Sequence, residues 1–159
     1  QYLREDKPLN TAGALSLLPE RPSGPIVVLN ADQVTNLSFS RMVDYHLAEG
    51  AAITMGAFDQ EQQVQYGVLE LAGNAVTGMR EKPVLRWPCN AGFYVIDPAM
   101  LDLVPPQTSF SMVQLAEAAI AAGEKVVAFP IVETWLDIGN FDDLNNALMW
   151  FVTGEEMLR

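Results

Sequence analysis

Residues 26–36, IVVLNADQVTN, decide how this chain is read. Ile26 to Asn30 is a short apolar, β-branched run, bounded by Pro25 on one side and by the polar stretch Ala31 to Asn36 on the other. A half-solvated strand would alternate in polarity, so an unbroken run predicts a strand buried on both faces of a parallel sheet. Asp32 then stands just past the carboxyl end of that strand. In open α/β sheets this is where ligands bind.

The flanking segments extend the pattern. Upstream, TAGALSLLP (Thr11 to Pro19) holds good helix formers with Asn10 or Thr11 as N-cap, and the Pro-rich stretch Pro19 to Pro25 stops it. Downstream, Ser38 is positioned to cap a helix whose apolar stripe is Phe39, Met42, Val43, His46 and Leu47, ending at Gly50. A strand over Ala51 to Phe58 follows. VQYGVLEL and AVTGMREK, joined through AGN, predict two antiparallel strands with a tight hairpin. NAGFYVID (Asn90 to Asp97) reads as a strand, Pro98 as the start of a short helix, Ser111 as the cap of an Ala-rich helix ending at Gly123, and Lys125 to Ile131 as a further strand. WLDIGNFDDL places Asp137 and Gly139 in a loop before a helix near Phe141, with Asp142 and Asp143 in its first turn. This order of elements predicts a layered α/β domain with a mixed sheet.

Composition narrows the function. The 159 residues, half of them apolar, predict one domain over 1–159. The net charge of −11 arises from 20 acidic residues scattered among nine basic ones. That balance excludes nucleic acid, which requires clustered Lys and Arg. A phosphorylated substrate remains compatible if carboxylates recruit a divalent cation. The single cysteine, Cys89, excludes an intrachain disulfide and a Cys-based zinc site, as expected of a reducing cytoplasm. No apolar run approaches the ~20 residues of a membrane span, so a soluble protein without a membrane partner is expected. The chain opens at Gln1 rather than at methionine, which suggests that residues precede it.

Two carboxylates meeting at the strand ends, Asp32 and Asp137, would form a hard-oxygen site for Mg²⁺. Periodicity alone favours a turn or cap role for such an Asp. Glu81-Lys82-Pro83 sets an acid beside a base where a strand closes, and a solvated strand end is its plain reading. Tyr66-Gly67 and Asn90-Ala91-Gly92 each put a hydrogen-bonding side chain beside a glycine, where a backbone approaches a ligand or a strand bulges. His46, on an apolar stripe, and Trp135, Trp150 and Phe151 read as packing residues. A haloacid-dehalogenase-type phosphatase would require a second acid two residues after Asp32, where Val34 stands.

Six motifs in order, LNTAGAL, VVLNADQVTN, QYGVLEL, MREKP, NAGFYVIDP and WLDIGNFDDL, resemble the sugar-1-phosphate nucleotidyltransferases, specifically the mannose-1-phosphate guanylyltransferase and glucose-1-phosphate thymidylyltransferase branch. The resemblance covers nearly the whole chain. It implies a three-layer α/β/α, Rossmann-like mixed sheet of the nucleotide-diphospho-sugar transferase kind, lacking the family's N-terminal strand and glycine-rich loop. It implies a sugar phosphate oxygen attacking the α-phosphorus of a nucleoside triphosphate, giving an NDP-sugar and pyrophosphate. Asp32 and Asp137 would hold Mg²⁺, Lys82 would meet the sugar's phosphate, Glu81 and Tyr66-Gly67 the sugar, and Asn90-Ala91-Gly92 would line the pocket. Thr11 and Gly13 would approach the nucleotide. Asn10, Ala31 and Gln65 depart from the usual glycine, glycine and proline, and Asn140-Phe141 from the usual Arg-Pro. With the front loop absent, the alternative is a non-catalytic remnant that binds a sugar phosphate, a sugar nucleotide or a partner protein. Uncovered strand edges favour pairing, so a homo-oligomer is expected.

Overall fold

The computed structural model describes residues 2–138 and 148. Its centre is a four-stranded sheet of β1 (Ile26–Leu29), β3 (Ile53–Gln63), β6 (Val84–Ile96) and β7 (Val126–Pro130) in the order β1-β6-β3-β7. β6 runs antiparallel to both neighbours, and β3 and β7 are parallel, so the sheet is mixed as the element order predicts. Two small ribbons complete the strands. β2 (Gln33–Thr35) pairs antiparallel with β8 (Trp135–Asp137), and β4 (Val68–Ala72) with β5 (Ala75–Arg80) through Gly73-Asn74.

β6 shows why there are three layers. Successive side chains of a strand point to opposite faces, and here both faces are apolar. Tyr94 and Ile96 join one core with Ile53, Met100, Met112 and Leu115, under α1 (Asn10–Gly13) and α3 (Met112–Ala121). Phe93 and Val95 join another with Met42, Phe129 and Ile131, under α2 (Phe39–Glu49).

Local chemistry starts and stops these helices. The Ser111 hydroxyl accepts from Gln114 N at 3.1 Å, and the Gln114 side chain accepts from Ser111 N at 2.8 Å, a reciprocal cap. Gly50, at φ +55°, closes α2 in the left-handed region as expected. Ser38 stands at the N-cap of α2, but its hydroxyl meets Ser40 Oγ rather than a helix N–H.

Several expectations change. β1 is not a parallel strand buried on both faces: its only partner among the described residues is the antiparallel β6, and Val27 and Leu29 are 36% and 51% exposed. Among the described residues, the core under α2 contains no β1 side chain. Leu47 is exposed, and Tyr45 takes its place on the buried stripe, edge-on to Phe129. The helix expected from Thr11 is one α-turn followed by 3-10 helix over Ala14–Leu17, and the short helix after Pro98 is 3-10 throughout. The first hairpin strand begins at Val68, not Val64. Asp137 ends a strand instead of lying in a loop. Gly139, Asn140, the helix near Phe141 with Asp142 and Asp143, Trp150 and Phe151 lie outside the described residues.

Candidate functional site

β2 is three residues long, and its pairing with β8 makes the site. Gln33 faces Asp137 across the ribbon, and Ile138 N donates to the Asp32 carbonyl at 2.8 Å. Two aspartates far apart in sequence thereby reach one end of one ribbon. Thr35 ties the other end, its hydroxyl donating to the Thr134 carbonyl at 2.8 Å and accepting from Leu37 N at 3.1 Å. Trp135 pins β8 to the main sheet, because its ring stacks on Phe58 (centroids 4.3 Å apart) and its Nε1 donates to the Ala91 carbonyl at 3.1 Å.

β6 supplies the floor through a break in its pairing. The β3–β6 register runs Met55↔Tyr94 and then Ala57↔Asn90, so the strand swells over Ala91 to Phe93, and Gly92 takes φ +76°. Asn90 shapes the swelling: its Oδ1 accepts from Gly92 N at 3.0 Å while its Nδ2 donates to Tyr94 Oη at 2.6 Å. Ala91 is fully buried, and the Gly92 carbonyl accepts from Asn30 N at 3.1 Å. A Cβ on Gly92 would overlap the Gln33 amide and lie 2.7 Å from Asn30 Nδ2. The carboxamides of Asn30 and Gln33 therefore cover Gly92 beside Asp32. Asn30 and Gln33 were not singled out by the sequence; a polar residue directly after Asp32 was the available signal.

Thr11, Leu29, Asn30, Ala31 and Asp32 line an open groove of about 530 Å³. Thr11 is held there, since its hydroxyl accepts from Met112 N at 2.9 Å. Gly13 lies below, where a Cβ would stand 2.5 Å from the Thr108 carbonyl. Asn10 adopts φ +66°, and its Oδ1 accepts from Thr11 N at 2.8 Å. Asparagine is among the few residues that tolerate this region, so a position suited to glycine is met without one.

The second group sits on the hairpin. β5 ends at Arg80, Lys82 takes φ +41°, and both Glu81 and Lys82 are exposed. Gly67 packs against Glu81, where a Cβ would be 3.1 Å from Oε2, and Tyr66 beside it is open to solvent. The structure thus joins Tyr66-Gly67 to Glu81-Lys82, and Asp32 to Asp137 and Gly92. The chain from Pro83 to Asn90, the first half of β6, connects the two groups.

Mg²⁺ commonly takes one or two carboxylates plus waters and substrate oxygens. The oxygens of Asp32 and Asp137, at one end of one ribbon, and of Gln33 between them in the pairing are of the kind such a hydrated ion takes. They do not fit an all-protein cage, because no cluster of three or more His, Cys, Asp or Glu side chains suited to a metal occurs among the described residues. His46 stays outside the site, buried, with Nδ1 2.9 Å from Thr54 Oγ1. No helix among the described residues is long and apolar enough to cross a membrane.

Comparison with known proteins agrees with this architecture. The family model described as nucleotidyl transferase matches residues 1–152. A mannose-1-phosphate guanyltransferase of Candida albicans is 29% identical over 157 residues, spanning 94% of this chain and 43% of its own length. The Yarrowia lipolytica mannose-1-phosphate guanyltransferase is 30% identical over 146 residues, spanning 87% of this chain and 40% of its own. The chain therefore spans less than half the length of these relatives. Among solved structures, HddC from Yersinia pseudotuberculosis superposes with a TM-score of 0.63 at 20% identity, over 92% of this chain and 64% of that one. The same protein has been crystallised with GMP-PN, and that structure superposes with a TM-score of 0.62 at 19% identity. The α/β/α layering, the six motifs and the match over residues 1–152 make this chain a member of the nucleotidyl transferase family, in its sugar-1-phosphate branch.

Proposed function

We propose that this chain, acting as one domain over residues 1–159, carries the sugar-phosphate and metal side of a nucleotidyl transfer. The β2–β8 pairing, which brings Asp32 and Asp137 to one end of one ribbon with Asp32 lining the groove, supports this reading most directly. In the reaction, an oxygen of the sugar 1-phosphate bonds to the α-phosphorus of a nucleoside triphosphate. The bond from that phosphorus to the β-phosphate oxygen breaks, and pyrophosphate leaves with the electron pair. Such chemistry depends mainly on positioning and charge neutralisation.

Asp32 and Asp137 would hold Mg²⁺, which when bound offsets the phosphate charge that an acidic protein would otherwise repel. Lys82, exposed on its left-handed turn, would offer its ammonium to the sugar's phosphate. Glu81, held against Gly67, would accept from sugar hydroxyls, with Tyr66 beside it. Asn90, Ala91 and Gly92 would form the pocket wall, acting through the bulge they build, and Thr11 and Gly13 would present the α1 end of the groove to the nucleotide. A cytoplasmic, homo-oligomeric enzyme is the setting proposed for this activity.

Pyrophosphate release on mixing the protein with mannose 1-phosphate, GTP and Mg²⁺ tests this reading, and Asp32→Asn is expected to abolish the release. No pyrophosphate, but calorimetric binding of sugar phosphate or sugar nucleotide, would replace catalysis with a binding role. With neither observed, an interaction role is left.

A further inference from the structure

Among the described residues, Gln33 Oε1 is the one buried side-chain polar atom without a hydrogen-bond partner. Such an acceptor destabilises the fold, and in native proteins it calls for a reason, among them a water or an ion that brings the donor. The position of Gln33 narrows what that donor is. The residue follows Asp32 directly and is paired across the ribbon with Asp137. Residues opposed in an antiparallel pair share a face, so the Gln33 and Asp137 side chains leave the ribbon on the same side. The Gln33 carboxamide covers Gly92, with Oε1 3.0 Å from where a Cβ there would lie and with the Asn30 amide alongside. It therefore lies against the β6 bulge, next in sequence to one aspartate and across the ribbon from the other.

We infer that Gln33 is a binding residue of this site whose Oε1 accepts a hydrogen bond from an O–H group carried in by the ligand. Two sources share that chemistry: a water on the cation held by Asp32 and Asp137, or a hydroxyl of the sugar. The inference rests on the proposed function, and binding measurements separate the two.

The probes are Mn²⁺ alone, followed by electron paramagnetic resonance, and mannose 1-phosphate in EDTA, followed by calorimetry. Gln33→Leu removes the acceptor, and Gln33→Glu keeps one. Because Gln33→Leu also removes an unpaired buried polar atom, its melting temperature is expected to equal or exceed that of the unaltered protein. Its affinity for one probe is expected to fall about tenfold or more, as for other outer partners of a metal site. Gln33→Glu should retain that affinity. Loss of Mn²⁺ affinity identifies the cation's water as the donor, whereas loss of sugar phosphate affinity with Mn²⁺ binding intact identifies the sugar hydroxyl. Wild-type affinity of Gln33→Leu for both probes would overturn the inference, as would a melting temperature that drops in step with affinity in both variants. If Asp32→Asn loses Mn²⁺ while Gln33→Leu binds normally, only this inference fails. An unaltered protein that binds neither probe removes the proposed function and this inference together.

Discussion

At Gly92 a backbone φ of +76° meets the amides of Asn30 and Gln33, and no space is left for a Cβ. Gly92→Ala is accordingly expected to cost at least ~2 kcal/mol, combining a left-handed alanine with displaced amides. Urea unfolding measures that cost, and a change below ~0.5 kcal/mol would show that the bulge relaxes freely. Asn10 illustrates the opposite case. Its φ of +66° asks for glycine, but an asparagine whose own Oδ1 accepts the next N–H satisfies the same backbone. Lys82, at φ +41°, has no such local hydrogen-bonding capacity in its side chain, so its turn is held by the strands that flank it.

Helix α2 is fastened to strand β3 by one polar contact in an apolar layer, His46 Nδ1 to Thr54 Oγ1 at 2.9 Å. Burial pushes the imidazole pKa below its ordinary 6.5, and the charge of Asp97 opposes this only in part. The unfolded chain therefore binds the proton more readily than the folded one. The contribution of His46 to stability is whole above about pH 6.5 and is lost as pH drops below that value. His46→Gln, which keeps a hydrogen-bonding amide, is expected to lessen the fall, and urea midpoints between pH 5 and 8 would report it; parallel curves would remove His46 as the cause. Helix limits of this kind were legible in the sequence because they depend on near neighbours: Ser111 with Gln114, and Gly50 closing α2. Strand direction was not. Which strand neighbours β1 is set by β6, far along the chain, and the three residues of β8 are too few to show a period. That Asp32 and Asp137 reach one region is suggested by their places at strand ends and strengthened by the motif resemblance, whereas the ribbon that brings them there was not legible. The place of Gln33 was invisible, because it depends on a bulge in another strand.

Among the described residues, an apolar strand stands at the edge of the main sheet. β1 carries no charge, proline or bulge to discourage pairing, and Val27 and Leu29 are open to solvent. Self-association is the expected outcome, visible by light scattering as a mass that rises with concentration. Val27→Lys together with Leu29→Lys should return it to the mass of one chain, and a single-chain mass for the unaltered protein at all concentrations would refute this. The β2–β8 ribbon has a different consequence, for the order in which the molecule is made. Its two strands come from positions 33–35 and 135–137, so during synthesis Asp32 emerges about a hundred residues before its ribbon partner, and the groove itself waits for β6 and Met112. Only when residue 137 has emerged can the ribbon close, so this long-range pairing is among the last contacts the chain can make.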